Sequence, residues 1–402
     1  MTTAASLSAG ASGDLSRLDR LESYLRDDPA NESLLAEAFA AALRCGAWDR
    51  AEFHVRHARA LWPQSPAWAL RETEGALARG DLDAARQLLS ELQTSADAPR
   101  AFSDAVLHNL AFIDFQENRP ADCVERLAPR MEAAASPSQT GDEQTPAALD
   151  VLWLRALHHV GDPGRAVQWA QVREQAGALA PEAAGIAGLA ALDAEQVADA
   201  ARWAAQALGA EPERPSLEAL VTRSSLALAE TDARTARAFA EAALARQPGD
   251  GRARSALAFA QLLAGDIPGA IREFRAALQS MPGHIGTWHG LGWAQIVAQD
   301  LAGARASFEH ALELDRNFGE SHGGLAVVFA LLQDEPSARA HIERAARLGG
   351  GSLAGRFAEA VLRGEANPEN FARLAERILD GQTSPGGSSM LDVVMAALRP
   401  RH

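Results

Sequence analysis

The sequence predicts an all-α protein, folded as a right-handed α-solenoid of about ten stacked helical hairpins. Two observations support this prediction, a repeat of fixed length and a helix pattern within each repeat. The repeat consists of five alanines spaced 34 residues apart: Ala236, Ala270, Ala304, Ala338 and Ala372. In the central copies, a large apolar side chain follows four residues after the alanine and a second alanine three residues later. Residues at such spacing share one helix face, so this face is expected to pack closely against a neighbouring helix.

Breaks between the predicted helices recur in the same register. Residues 264–268 and 333–336 both contain Asp and Pro and separate the first helix of a hairpin from the second. Pro248 and Pro282 are also 34 residues apart and follow the second helix. Because proline lacks the backbone N–H group that a helix needs, each of these prolines is expected to end the helix before it. The sequence therefore predicts two helices in each period.

The N-terminal half follows the same pattern with looser spacing. Residues 1–13 are expected to be disordered, and residues 14–132 and 148–216 to form divergent hairpins. Five alanines mark the second helices of these hairpins: Ala51, Ala84, Ala121, Ala166 and Ala200. Residues 133–147 have low complexity, which predicts either a mobile loop or a boundary between two halves of the solenoid.

The C-terminal half contains the best-formed repeats, over residues 217–350. Residues 351–380 predict a capping hairpin, because charged side chains replace apolar ones on its outer face. Residues 381–389 are rich in Gly and Ser and predict a flexible linker, whereas residues 390–399 predict an amphipathic helix. Two roles are open for that helix. It caps the last hairpin, or it lies in a binding groove of its own chain or of a second copy, which would give self-association.

Six residues of the segment 285–318 stand at fixed offsets within the period: Trp288, Leu291, Gly292, Ala304, Phe308 and Ala311. In these residues and offsets the segment resembles the tetratricopeptide repeat family. It departs from the family pattern at Gln295, where Tyr is typical, and at Arg316, where Pro is typical. The resemblance implies that the six residues pack the repeats together, and that the first helix of each repeat lines a concave groove.

The resemblance also implies which side chains face that groove. The corresponding positions hold Val221, Ser225, Leu228, Ser255, Phe259, Leu262, His289, Trp293, Ile296, Gly323, Val327 and Ala330. The residues expected to contact a peptide are Ser255, Phe259, Leu262, His289, Trp293, Ile296 and Val327. Co-chaperones of the family bind a carboxylate with Lys and Asn at such positions, and neither residue is present here. An apolar groove suits an amphipathic helix or an apolar peptide. The alternative, that Phe259, Trp293 and Ile296 only pack against neighbouring helices, stays open.

Composition narrows the class of partner. The formal net charge is −15, and most of the acidic excess lies in the first two thirds of the chain, so nucleic acid is not expected to bind. All 38 cationic side chains are arginine. Codon bias in a GC-rich bacterial genome explains this, and evasion of lysine modification is the alternative. Apolar stretches are too short for membrane insertion, and Cys45 and Cys123 suit a reducing compartment. We therefore expect a location in the bacterial cytoplasm.

Motifs that would indicate catalysis are missing from the sequence. It contains no phosphate-binding Gly-rich loop, no nucleophile elbow and no zinc-binding His pair, so we expect no enzyme activity, cofactor or metal. His284, His289, His310 and His322 lie in adjacent repeats. Packing or hydrogen bonding explains them better than metal binding does.

The function that these observations predict is a non-catalytic scaffold for protein–protein interaction. As an adaptor or chaperone, it would hold a peptide or helix of a client protein in the groove. The resemblance points to bacterial secretion, pilus or envelope assembly as settings. The main alternative is an accessory subunit of an enzyme complex, which positions a catalytic partner or its substrate. RNA binding is disfavoured, because the chain is acidic and lacks a basic stripe.

Overall fold

A computed structural model of the 402-residue chain describes residues 3–92, 99–135, 146–210, 212, 214–349 and 352–365. For residues 3–13, 135 and 349 this description covers the backbone only. The described residues form α-helices joined by short turns, and they contain no β-strand. The predicted all-α fold of stacked helical hairpins is confirmed.

The helices of the described residues are numbered in chain order. The first ten are α1 (Thr3–Asp27), α2 (Glu32–Arg44), α3 (Trp48–Leu61), α4 (Pro66–Ala78), α5 (Leu82–Leu92), α6 (Arg100–Gln116), α7 (Pro120–Ala135), α8 (Ala147–His159), α9 (Pro163–Gln175) and α10 (Pro181–Asp193). The others are α11 (Val197–Ala210), α12 (Leu217–Ala229), α13 (Ala233–Arg246), α14 (Gly251–Leu263), α15 (Ile267–Ser280), α16 (Ile285–Val297), α17 (Leu301–Leu314), α18 (Gly319–Leu331), α19 (Glu335–Gly349) and α20 (Leu353–Leu362).

Successive helices of the chain pack as hairpins. Each even-numbered helix from α2 to α18 forms a hairpin with the odd-numbered helix that follows it. Even-numbered helices also contact each other along the stack, as α12 does with α14, α14 with α16, and α16 with α18. We call the even-numbered helices the inner row and the odd-numbered ones the outer row. This arrangement is the one expected when each hairpin buries its apolar face against the next.

Every turn inside a hairpin uses the same backbone device. A residue with positive φ follows each inner-row helix, at Gly46, Gly80, Asn118, Gly161, Glu195, Thr231, Gly265, Gln299, Gln333 and Gly364. At Gly265, with φ +83°, the backbone closes α14, and the Asp266 N–H donates to the Gln261 carbonyl at 2.9 Å. The Asp266 carboxylate then accepts from the Gly269 N–H at 3.0 Å and caps α15. The turn thus ends one helix and starts the next within three residues.

A small buried residue stands fourth in most outer-row helices and corrects the register predicted for the N-terminal half. Ala51, Ala166, Ala200 and the alanines from Ala236 to Ala338 lie there and are at most 2% exposed. In α5, however, this residue is Ala85 and not the predicted Ala84, and in α7 it is Cys123 and not Ala121. The turns before α5 and α7 are three residues long, as in the other hairpins, so the predicted Ala84 and Ala121 simply lie one and two residues before the buried position. Ala372 lies outside the described residues.

Glycines of the inner row receive phenylalanine rings of the outer row. The ring of Phe308 in α17 lies so close to Gly292 of α16 and Gly324 of α18 that a Cβ atom there would come within 2.7 and 2.5 Å of it. Phe274 lies against Gly290 in the same way, at 2.5 Å. Both rings are fully buried. The predicted packing residues Leu291, Gly292, Ala304, Phe308 and Ala311 are buried, whereas Trp288 is half-buried.

The chain divides into two compact units, Met1–Ala183 and Ala184–His402. The first unit contains α1 to α9, and the second contains α11 to α20 and most of α10. The division does not fall at residues 133–147, because α7 and α8 pack together on either side of that segment, and α8 also contacts α6. Residues 136–145 themselves are outside the described part, so the mobile loop stays a prediction.

Three terminal predictions lie wholly or partly outside the described residues. Helix α1 begins at Thr3, within the segment 1–13 that we expect to be disordered, and no side chain of that segment is described. Of the capping hairpin 351–380, only α20 is described, and the linker 381–389 and helix 390–399 are not. Among the described helices, none combines the length and the apolar character required to cross a membrane.

Candidate protein-binding surface

The seven residues predicted to contact a peptide lie on three inner-row helices of the second unit. Helix α14 carries Ser255, Phe259 and Leu262; α16 carries His289, Trp293 and Ile296; and α18 carries Val327. Their helices are consecutive members of the row and contact one another. The register carried over from the sequence therefore brings these positions together on neighbouring helices. Burial then divides them into two groups.

Three of the seven residues are buried and are removed from the surface that a ligand can reach. Val327 is fully buried among apolar residues that include Phe308 and Ala326. Ile296 belongs to the same core cluster. The Ser255 hydroxyl lies 2.9 Å from the Thr287 hydroxyl and joins α14 to α16. These residues hold the repeats together. For Ile296, this is the alternative in which the side chain only packs against neighbouring helices.

The other four residues are half-buried and present part of their surface to solvent. Phe259 and Trp293 occupy equivalent positions in consecutive repeats, and each meets the outer-row phenylalanine of its own repeat edge to face. The ring centroids are 4.8 Å apart for Phe259 and Phe274, and 5.9 Å apart for Trp293 and Phe308. Such pairs hold aromatic rings in one orientation. Leu262 packs beside Phe259 against the same core cluster.

His289 is held between two phenylalanines and a hydroxyl group. Its ring meets Phe308 and Phe318 edge to face, with centroid distances of 5.4 and 5.2 Å. Its Nε2 atom lies 2.7 Å from the Ser321 hydroxyl of α18. Burial lowers the pKa of His289 to about 4, so the ring is neutral near pH 7. His289 thus repeats the link that Ser255 makes one repeat earlier and adds an uncharged aromatic edge.

The structure adds exposed apolar residues that the sequence analysis missed. Val297 is 56% exposed and follows Trp293 by four residues, so the two share a helix face. Leu331, 37% exposed, stands at the equivalent position of α18, 34 residues later. Phe318, 40% exposed, precedes α18 and contacts His289. The period itself could have found Val297 and Leu331, because Leu263 holds the same position in α14.

We call Phe259, Leu262, His289, Trp293 and Val297 the inner-row surface. It combines rigid aromatic rings with exposed aliphatic side chains, and its one titratable group is uncharged at neutral pH. Aromatic residues that are already fixed by packing lose little conformational freedom when they bind. Such a surface can bind an apolar protein segment, and it contains no pair of groups arranged for acid–base chemistry.

Comparisons with known proteins give one family match and several structural similarities. A family model described as tetratricopeptide repeat matches residues 227–292. The Cut9–Hcn1 hetero-tetramer of the APC/C contains a similar chain, with 14% identity, 89% of this chain and 80% of that chain covered, and a TM-score of 0.44. The structures MamA AMB-1 and MamA MSR-1 each show 18% identity. They cover 41% and 40% of this chain and 96% and 91% of theirs, with TM-scores of 0.34 and 0.33. No curated protein matches the sequence.

The matched segment includes all of α13, α14 and α15 and ends at Gly292, beside the Phe308 ring. The helices after it keep the same period, the same positive-φ turn and the same buried alanine. The predicted tetratricopeptide repeats are therefore confirmed over residues 227–292.

Proposed function

We propose that the chain is a protein-binding scaffold that holds an apolar peptide or amphipathic helix of a client protein on the inner-row surface. The observation that carries this proposal is the pairing of Trp293 with Val297 on one face of α16. Trp293 is braced by Phe308, and Val297 is more than half exposed. An aromatic anchor beside an open aliphatic side chain is typical of the centre of a protein interface.

The surface favours an apolar ligand over a charged one. His289 is neutral, and the other members of the inner-row surface are uncharged. A client helix would place apolar side chains at intervals of three and four residues along its face. Those intervals match the spacing of Trp293 and Val297. As an adaptor or chaperone of this kind, the chain would act in secretion, pilus or envelope assembly, and those assemblies are the first source of clients to examine.

A photo-crosslinking experiment tests the position of the surface. A photoreactive amino acid is placed at Val297 of α16, and in a second variant at Leu314 of α17, which is also an exposed apolar residue (41%) but lies on the outer row. Both variants are irradiated in a lysate of the native host. We expect a specific client to crosslink from position 297 and not from position 314. Equal crosslinking from both positions would contradict the proposal.

Affinity measurements with the purified client then test the contribution of the side chains. Because removal of an interface anchor costs about 2 kcal/mol or more, we expect Trp293→Ala with Val297→Gln to weaken binding at least about 30-fold. The matched control Leu314→Gln should bind as the wild type does. Circular dichroism and urea unfolding show whether each variant is folded, and the single variant Val297→Gln keeps the test valid if the double variant is unstable. Unchanged affinity in a folded double variant would refute the inner-row surface.

A further inference from the structure

A pocket of about 610 Å³ lies in the first unit, between the helices α1 and α3 and above α2. We call it the α1–α3 pocket. Leu25 of α1, Leu35 of α2 and Phe53 of α3 form its apolar wall, and Pro29 lies at the end of α1. The volume exceeds that of a single large side chain and is in the range of natural ligand pockets, about 300 to 1,000 Å³. The pocket belongs to a different unit from the inner-row surface, so it raises the question of a second ligand.

The aromatic part of the wall is fixed but open to solvent. The ring of Phe53 is 61% exposed although it lines the pocket. It stacks nearly parallel to His57, with 6.2 Å between the ring centroids, and meets His54 edge to face at 5.6 Å. His57 is in turn held by the Pro29 carbonyl, 2.9 Å from its Nε2 atom. A large aromatic ring held in place at an open pocket gives a ligand apolar area at little entropic cost.

The polar side chains of the wall form hydrogen bonds with one another. Arg50 donates to both oxygens of Glu22, at 2.8 and 2.7 Å, and to Asp19 at 2.6 Å. The Nε2 atom of His54 lies 3.0 Å from a Glu22 oxygen. His54 is 2% exposed, and burial lowers its pKa, which favours the neutral ring. This network braces α1 against α3 and pairs the charges of Glu22 and Arg50.

Two exposed residues of opposite charge remain at the pocket. Arg26 stands on α1 and Asp49 on α3, and both line the pocket. Within the part of the chain that the structure describes, neither has an ion-pair or hydrogen-bond partner. The four charged lining residues, Glu22, Arg26, Asp49 and Arg50, have a net charge of zero. An apolar centre with unpaired charges at the rim has the anatomy of a protein interface.

We propose that the α1–α3 pocket binds a large uncharged side chain, such as Trp or Phe, of a partner protein. In the partner segment, an acidic residue lies on one side of this side chain and a basic residue on the other. The apolar wall receives the side chain, Arg26 pairs with the acidic residue, and Asp49 pairs with the basic one. The open pocket leaves room for the polypeptide to enter and leave. Opposite rim charges also select the direction in which the segment lies. This site is separate from the inner-row surface and does not depend on it.

Peptide titrations of the full chain test the proposal. The probes are capped heptapeptides with a central Trp, one Glu and one Arg on opposite sides of it, and Ala elsewhere, made in both orders. Amide chemical shifts are followed by NMR. We expect saturable shifts confined to α1, α2 and α3, with dissociation constants on the order of 0.1 to 1 mM and at least about a fivefold difference between the two orders. Shifts elsewhere only, or no saturation, would overturn the proposal.

Matched variants assign the contacts. Phe53→Ala should weaken binding at least about tenfold, and Asp49→Asn should remove the preference for one peptide order. Tyr24→Ala is the control, because Tyr24 is an exposed aromatic residue of α1, 56% exposed, and does not line the pocket. Circular dichroism confirms that each variant is folded. Equal affinity of wild type and Phe53→Ala would exclude the pocket as the binding site.

Two further measurements distinguish the proposed partner segment from other possible ligands of the pocket. N-acetyltryptophanamide, which has the ring without flanking charges, should bind at least about fivefold more weakly than the better peptide. Equal affinity would mean that the pocket recognises a free aromatic molecule, which overturns the role of the rim. The wild-type chain and Phe53→Ala are also compared by sedimentation without peptide. We expect no dimer in the wild type that is lost in Phe53→Ala. Such a dimer would make a second copy the occupant and would overturn the proposal.

Discussion

Phe308 illustrates what a single side chain contributes to this fold. Its ring is fully buried and lies against Gly292 and Gly324, while Trp293 and His289 meet its edge and face. The sequence predicted that Phe308 packs the repeats together, because it fills a signature position. It did not predict the role of Gly324, since the contact with that residue depends on how closely the next inner-row helix approaches.

Truncation of this ring should be costly. We expect Phe308→Ala to lower the free energy of unfolding by about 3 to 5 kcal/mol, because it leaves a cavity between two repeats. Urea unfolding followed by circular dichroism measures the loss. Leu314→Ala on the same helix is the control and should change little, since Leu314 is 41% exposed. A loss under about 1 kcal/mol for Phe308→Ala would show that the ring is not buried.

His289 makes the stability of the second unit depend on pH. Its pKa is about 4 in the folded chain, against an ordinary value near 6.5, so between these values the unfolded chain binds the proton more strongly. The contribution is complete above about pH 6.5 and is lost as the pH falls towards 4. We expect His289→Gln, which keeps a donor for Ser321, to lose less stability than the wild type between pH 7 and pH 5. Urea unfolding at both pH values measures the difference, and equal losses would contradict it.

At the scale of helices and turns, the regular period made the hairpins of the second unit predictable. In the first unit the connections between hairpins vary in length, and the buried fourth position holds Ala85 and Cys123 where the sequence predicted Ala84 and Ala121. Cys123 occupies a position that alanine fills in the other hairpins, and burial raises the pKa of its thiol to about 12. Sequence spacing could not locate this residue, because the pattern was traced from alanines alone.

The hairpin turn offers a test of backbone strain. Thr231 has φ +56°, a conformation that is unfavourable for a β-branched residue, whereas Gly265 fills the same position one period later. We expect Thr231→Gly to raise the free energy of unfolding by about 1 kcal/mol and Gly265→Ala to lower it by about 1 kcal/mol. Thermal or urea unfolding of both variants measures the changes. A stability loss in Thr231→Gly would mean that the threonine side chain contributes more than the strain removes.

At the scale of the whole molecule, the two units are stabilised by different contacts. In the second unit, Phe274 and Phe308 pack against glycines, and in the first unit buried ion pairs join neighbouring helices. Arg173 lies 3.0 Å from the fully buried Asp150, and Arg130 lies 2.8 Å from Asp104. Part of the acidic excess of the N-terminal half is therefore internal. Composition located that excess but could not separate buried from exposed carboxylates, because both kinds of residue look alike in a sequence.

The candidate surface was predictable only in part, because a sequence does not show which side chains are exposed. The family register placed seven residues on inner-row helices, and yet Ser255, Ile296 and Val327 are buried, while the register did not select the exposed Val297. Register fixes the helix face on which a residue lies, whereas exposure depends on the size of the neighbouring side chains. The α1–α3 pocket has no sequence signal at all, since its wall combines residues of three helices with no common spacing.

The shared turn has a consequence for how such a chain can change its length. Gly265–Asp266 and Gln299–Asp300 are interchangeable junctions, because each closes an inner-row helix and caps the next helix with its aspartate. Deletion of residues 267–300 would join Asp266 directly to Leu301 and recreate the same junction, with Phe308 taking the place of Phe274. Whole repeats can therefore be lost or duplicated in evolution without the invention of a new connection.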